Sequence, residues 1–293
     1  MNRYKHYAAA AIQAALVAGI EIMQIYAGPV DVEYKGDSSP LTEADRRAHR
    51  VIVQILGSLD KPLPILSEEG NEIPFQTRRE WKRYWLIDPL DGTKEFIKKN
   101  GEFTVNIALM EQREAAWTPV VGVVYLPAKD ILYVGIEGAG AVKLTDATRH
   151  IPAKRSTNIL AKTSVDELFS AGQRLPACSS DPDILRVVAS RSHGSKETES
   201  LIAELGRNYK KVERVSSGSS IKLCLVAEGA ADVYPRFAPT MEWDTAAGDG
   251  VCRAAGALVT GQDGKHPLVY NKEDLHNPWF LVFRKDFAKG ANR

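Results

Sequence analysis

Tyr84-Trp85-Leu86-Ile87-Asp88-Pro89-Leu90-Asp91-Gly92-Thr93-Lys94-Glu95-Phe96 passes from an apolar run to a polar one at Asp88. The apolar part reads as a strand that delivers Asp88 at its end. Pro89 has no N–H for a ladder, and Asp91-Gly92 makes a turn into a short helix closed by Asn100-Gly101. A kinked strand end can aim both carboxylates at one point, and a hard divalent ion such as magnesium takes a few carboxylates plus water and substrate phosphate. Backbone N–H groups of Gly92 and Thr93, at the start of that helix, suit phosphate oxygens. An ordinary Asp-Gly turn is the competing reading, and it leaves Asp88, Pro89 and Thr93 without a reason. On this segment alone neither reading prevails.

Outward from it, Ile65-Leu66-Ser67-Glu68-Glu69-Gly70 places adjacent glutamates just after a strand. Met241-Glu242-Trp243-Asp244-Thr245-Ala246-Ala247 puts Asp244 at the start of a helix built of very small residues. Glu68 and Glu69 also suit a solvated loop, and Asp244 an N-cap. Neither explains why the helix after Asp244 is so poor in bulky side chains, as a helix packed closely against a site would be. Thr42-Glu43-Ala44-Asp45 fits a capped helix start, with Val51, Ile52, Ile55 and Leu56 on the apolar face that follows. For Asp45, capping and catalysis stand level, since one side chain rarely serves both ends at once.

The rest of the chain sets the frame. A helix over 4–26 should end at Gly28-Pro29; Ile12, Leu16, Ile20, Met23 and Ile25 recur at helical spacing, which favours an amphipathic helix over a secretion signal despite Arg3, Lys5 and the Ala-rich start. No run reaches the roughly 18 unbroken apolar residues of a membrane span, so a soluble protein without stable membrane insertion is expected. Strands at 64–66, 84–87, 105–110, 120–125 and 131–135 make residues 1–150 an α+β domain with two helices and a mostly antiparallel sheet, carrying most of the metal-ligand candidates. Strands at 187–189, 211–215, 231–234 and 257–260 alternate with helices at 197–205, from 219, and at 244–255, which makes residues 151–293 an α/β domain carrying Asp244. With 38 basic against 37 acidic side chains the chain lacks the footprint of a nucleic-acid or anionic-membrane binder. Cys178, Cys224 and Cys252 fit neither a zinc site nor a disulfide framework and read as three buried thiols of a cytoplasmic protein. Arg78, Arg79, Lys82 and Arg83 read as an exposed loop face.

Taken together and in this order, Thr42-Glu43-Ala44-Asp45, Ser67-Glu68-Glu69, Asp88-Pro89-Leu90-Asp91-Gly92-Thr93 and Trp243-Asp244-Thr245-Ala246-Ala247 resemble the signature of the inositol monophosphatase superfamily of lithium-sensitive, magnesium-dependent phosphatases, over nearly the whole chain. The resemblance implies a layered αβαβα sandwich of the sugar-phosphatase type, an α+β half stacked on an α/β half, with two or three Mg2+ ions between them. It implies Glu68, Asp88, Asp91, Asp244 and the Leu90 carbonyl as metal ligands. It also implies Asp45, Glu68 and Thr93 as the catalytic group that orients a water for direct attack, without a covalent intermediate. A haloacid-dehalogenase type phosphatase, whose two Asp are separated by one residue, fits less well, because two residues lie between Asp88 and Asp91.

Within the superfamily, Thr93-Lys94-Glu95-Phe96, Ser190-Arg191-Ser192-His193, Gly218-Ser219-Ser220-Ile221-Lys222 and Asp232-Val233-Tyr234-Pro235-Arg236 are similar to the bacterial 3'(2'),5'-bisphosphate nucleotidase branch. The implied substrate is adenosine 3',5'-bisphosphate, cleaved to AMP and phosphate, with 3'-phosphoadenylyl sulfate as a further candidate. Its implied contacts are Asp91, Gly92, Thr93, His193, Gly218, Ser219, Lys222, Arg236 and Asp244, with Lys222 and Arg236 the candidates for the second phosphate. His193 reads as a substrate contact or a structural histidine rather than a metal ligand. An inositol or sugar monophosphatase of the same superfamily is the alternative enzyme, and a metal- or nucleotide-binding module the non-catalytic one. The expected protein is a cytoplasmic monomer or homodimer, with loose association with the inner membrane left open.

Overall fold

The computed structural model describes residues 2–29, 32–34, 40–114, 116–150, 164–189, 195–285 and 287. The chain opens with α1 (Lys5–Tyr26), a short pair β1 (Val32–Tyr34) and β2 (Pro40–Thr42), and α2 (Glu43–Gly57). Next come β3 (Ile65–Ser67), α3 (Phe75–Arg78), β4 (Arg83–Asp91), α4 (Thr93–Ile97), β5 (Thr104–Arg113), β6 (Ala116–Leu126), β7 (Ile131–Ile136) and β8 (Gly140–Thr145). The remainder holds α5 (Val165–Ala171), β9 (Gln173–Leu175), β10 (Ile184–Val188), α6 (Lys196–Gly206), β11 (Lys211–Val215), α7 (Ile221–Glu228), β12 (Val233–Arg236), α8 (Glu242–Ala255), β13 (Leu258–Gly261) and β14 (Phe280–Phe283).

Strands β3 to β9 form a seven-stranded sheet in chain order, with β3 parallel to β4 and every later neighbour antiparallel. Successive side chains on a strand point to opposite faces, and here they enter two different cores in turn. Trp85, Ile87, Ile107, Leu109 and Val123 face a core shared with Leu16 and Ile22 of α1 and Ile52 and Leu56 of α2. Tyr84, Leu86, Ala108, Met110 and Val124 face the other way, onto Ile221 and Cys224 of α7 and Ala247 and Val251 of α8. That same core is closed by Tyr234, Val259, Phe280 and Val282 of a second sheet, five-stranded in the order β11-β10-β12-β14-β13. Its far face packs Leu185, Val187 and Val233 on Ile202 of α6. Helix, sheet, helix, sheet and helix therefore lie in succession, as expected from the resemblance.

Helix α8 is the middle of this stack, and its small residues have a packing cause. A Cβ on Gly122 of β6 would sit 2.2 Å from the Ala247 carbonyl oxygen, and one on Gly135 of β7 would sit 2.6 Å from that of Gly250. Helix and sheet backbones approach this closely only because neither side interposes a side chain. The small residues after Asp244 thus serve the contact between layers.

Several expectations change. Helix α1 is buried around most of its circumference, not along one stripe: Tyr7, Ala8, Ala10, Ala11, Ala14, Ala15, Ala18 and Ile22 are all covered. By length and composition it is apolar enough to cross a membrane, and its apolar surface lies in the first core. Arg78 is 3 % exposed, because its guanidinium bonds the carbonyls of Ile73 and Lys272 and the Asn271 side chain; it is not on an exposed loop face. Arg83 is half-buried against Glu111. Cys224 and Cys252 are buried, while Cys178 is exposed. The expected elements stopped at residue 260 and omitted β8, β9 and β14; α5 and β9, which follow residue 150, join the first sheet and its outer layer.

Candidate metal centre and substrate pocket

Strand β4 does not end at Asp88 but runs on through Asp91. Residues three apart on a regular strand face opposite sides. Here Asp88 pairs with Asn106 and Asp91 with Thr104, so three steps on β4 match two on β5, and the extra residue forms a bulge at Pro89-Leu90. The bulge restores both aspartates to the face that looks onto α7 and α8. Leu90 then points its side chain into the opposite core, with its carbonyl oxygen 3.4 Å from the Thr93 hydroxyl. Gly92 follows at φ +88°, where a Cβ would meet Ser219 and the Glu102 carbonyl, so the turn into α4 needs glycine.

Backbone donors fix the carboxylates. Asp88 Oδ1 accepts the Leu90 N–H at 3.0 Å, Asp91 Oδ2 the Ser220 N–H at 2.5 Å, and Asp244 Oδ2 the Met241 N–H at 2.8 Å. Asp45 behaves like Asp244, since its Oδ2 accepts the Thr42 N–H at 2.8 Å and the Thr42 hydroxyl at 2.5 Å. Its other oxygen, Oδ1, lies 3.4 Å from the Thr93 hydroxyl. The cap holds the rotamer and leaves the second oxygen turned toward the Thr93 hydroxyl.

Glu68, Asp88 and Asp244 each bring a carboxylate oxygen within 4.8 Å of the others. Asp91 is their neighbour in charge but not part of that triad. Burial, and then the charges of Glu68, Asp91 and Asp244, hold Asp88 well above the usual carboxylate range. Burial and the Asp91 charge push Asp244 up to about 8; burial raises Asp91 to about 6, opposed by Lys222 and the Ser220 N–H. Asp88 Oδ2 is buried with no hydrogen-bond partner among the described residues. A buried carboxylate facing other carboxylates is costly unless a cation or proton sits between them. An all-oxygen donor set of this kind fits a hard divalent ion.

From Asp91 and Asp244 a cavity of about 720 Å³ opens between the layers, past Gly92, Ser219 and Lys222 to Arg236 and Phe237. Lys222 donates to the Ser219 carbonyl at 2.7 Å, and burial lowers its pKa to about 8. Arg236 donates through Nη2 to the Pro239 carbonyl at 3.0 Å, and its buried Nε has no partner among the described residues. Ser219 Oγ is likewise buried and unpartnered there. The Gly218 N–H is already given to Glu102 at 2.9 Å, so Gly218 forms wall and not an open donor. His193 lies outside the described residues.

Sequence reasoning missed the polar floor beneath the centre. Ser220 Oγ bonds Asn106 Oδ1 at 2.6 Å and Thr104 Oγ1 at 2.8 Å, which ties the start of α7 to the strand opposite Asp88 and Asp91. The available signal was Thr104 and Asn106 standing two apart just before the apolar run Ile107-Ala108-Leu109-Met110.

Five alternating layers with a carboxylate centre at their seam, opening on a cavity that also holds Lys222 and Arg236, define a metal-dependent phosphatase of the sugar-phosphatase architecture. The chain belongs to the inositol monophosphatase family, whose family model matches residues 3–279. It is 43% identical over 273 residues to the 3'(2'),5'-bisphosphate nucleotidase CysQ of Escherichia coli strain K12, covering 92% of this chain and 96% of that protein. The crystal structure of CysQ from Bacteroides thetaiotaomicron superposes with a TM-score of 0.83 at 50% identity, covering 97% of this chain and 98% of that one. The suhB protein of Bartonella henselae, at 23% identity and a TM-score of 0.67 over 96% of this chain and 95% of that one, shares the fold.

Proposed function

We propose that this chain is a 3'(2'),5'-bisphosphate nucleotidase that removes the 3'-phosphate of adenosine 3',5'-bisphosphate, using Mg2+ held by Glu68, Asp88, Asp91, Asp244 and the Leu90 carbonyl. The observation that carries this reading is the single cavity that joins the carboxylate centre to two cations and an aromatic wall. A substrate with two phosphates and a base has a use for all three features. Magnesium, when bound, neutralises phosphate oxygens and lowers the pKa of a water toward about 7.

The residues of the chain do the rest. Thr93 holds the attacking water, which passes a proton to the Thr93 hydroxyl as that hydroxyl gives its own to Asp45 Oδ1, 3.4 Å away. Burial raises the pKa of Asp45 above the usual carboxylate value, which makes it the better proton acceptor. The Gly92 and Thr93 N–H groups orient the scissile phosphate, and Lys222 and Arg236 take the other one. Sequence identity to CysQ proteins over nearly the full chain supports the nucleotide as substrate.

A panel of adenosine 3',5'-bisphosphate, 3'-phosphoadenylyl sulfate and inositol 1-phosphate, each with and without Mg2+, tests the reading. Phosphate release should require Mg2+ and be fastest with the bisphosphate. A preference for inositol 1-phosphate would overturn the substrate assignment.

A further inference from the structure

Asp88, Asp91 and Asp244 are each fixed by a donor to the side chain itself. Glu68 stands on the turn after β3, and that turn is itself held by hydrogen bonds. The Glu68 N–H donates to the Ile87 carbonyl at 3.2 Å, and the Gly70 N–H to the Ser67 carbonyl at 3.1 Å. The Glu69 N–H donates to Ser67 Oγ at 3.3 Å, and that oxygen lies 2.9 Å from His49 Nδ1. Ser67 is buried and His49 half-buried. Burial lowers the pKa of His49, which favours the neutral ring. A serine oxygen that accepts from Glu69 keeps its own proton to give, and neutral Nδ1 is the acceptor in reach. His49 also stands four residues after Asp45 on α2, so the two share a face of that helix.

We propose that His49 is a positioning residue of the metal centre: through Ser67 Oγ it locks the turn that aims Glu68 at Asp88 and Asp244. Helix α2 then sets two parts of the site: Asp45 directly, at its start, and Glu68 through His49, one turn further along. The inference rests on Glu68 being a metal ligand, as proposed above.

Calorimetric titration of the metal-free protein with Mn2+, beside the Mg2+ dependence of turnover, tests it. Ser67→Ala and His49→Ala should each weaken metal binding about tenfold, as loss of a group supporting a ligand does. The double variant should lose no more than the weaker-binding single variant, because both remove one link. His49→Asn, whose amide falls where Nδ1 stood, should restore affinity, and His49→Gln, whose amide falls at Nε2, should not. Unchanged affinity in His49→Ala, additive losses in the double variant, or equal affinities for the Asn and Gln variants would each overturn the proposal. If His49→Ala does not fold, the Asn and Gln pair decides. A wild-type protein that binds no metal at all would instead overturn the metal assignment.

Discussion

Asp88 concentrates the physics of the site in one side chain. It is 1 % exposed, one oxygen is satisfied by the Leu90 N–H, and the other meets only carboxylates. Without metal, the folded protein holds protons on Asp88, Asp91 and Asp244 at pH values where the unfolded chain has released them. Stability falls with rising pH wherever the native state binds the more protons. The metal-free protein should therefore lose stability from the ordinary carboxylate range near pH 4 upward, as Asp91 ionises at about 6 and Asp244 at about 8. Mg2+ should reverse the trend, since a divalent ion binds carboxylates in their ionised form. Thermal melting in EDTA and in Mg2+ across that range checks this, and a metal-free Tm that rises with pH would contradict it. Replacing Asp88 with Asn removes the charge but keeps the size, so turnover should drop by at least about a hundredfold. The same variant should be no less stable than wild type in EDTA at pH 8, as read by urea denaturation.

At the scale of elements, the site depends on how closely α8 approaches the first sheet. Gly122→Ala would drive a methyl group toward the Ala247 carbonyl, 2.2 Å from the Cβ position, and backbone cannot step aside as a side chain can. The cost should be about 1–3 kcal/mol in urea denaturation, typical of overpacking. Because Asp244 opens the same helix, the Mg2+ needed for half-maximal rate should rise as well; destabilisation with an unchanged Mg2+ requirement would detach α8 placement from metal binding. This contact was only half legible in the sequence. The run of small residues after Asp244 was visible, but its partners Gly122 and Gly135 lie more than a hundred residues earlier, and no local pattern connects them. The Asp88 to Asp91 turn was legible as chemistry and misread as geometry. Pro89 reads as a strand end, and only pairing with β5 reveals a bulge that keeps the strand going. Strand β14 was lost for a different reason: Phe280-Leu281-Val282-Phe283 is apolar enough, but a short apolar run near the chain end carries no period of its own to announce a strand.

Over the whole molecule, chemistry and recognition come largely from different elements. The ends of β3 and β4 and the starts of α2, α4 and α8 supply Glu68, Asp88, Asp91, Asp45, Thr93 and Asp244, while the cavity beyond is walled by α7, the end of β12 and the segment after it. Phe237 lines that cavity and packs on Trp279 with ring centroids 5.4 Å apart, which holds an aromatic face at its side. A phosphorylated polyol has no flat apolar surface to match such a face, whereas a purine does, and base–aromatic stacking contributes about 1–3 kcal/mol. Phe237→Ala should therefore lower kcat/KM for adenosine 3',5'-bisphosphate by about 5- to 150-fold, the range those energies span. Hydrolysis of a baseless monoester such as inositol 1-phosphate, however slow, should be unchanged, because the carboxylate centre is untouched, and Phe237→Trp should retain the nucleotide rate. Equal losses on both substrates would mean that Phe237 supports the loop, not the base, and selectivity would then rest on the cations Lys222 and Arg236 alone.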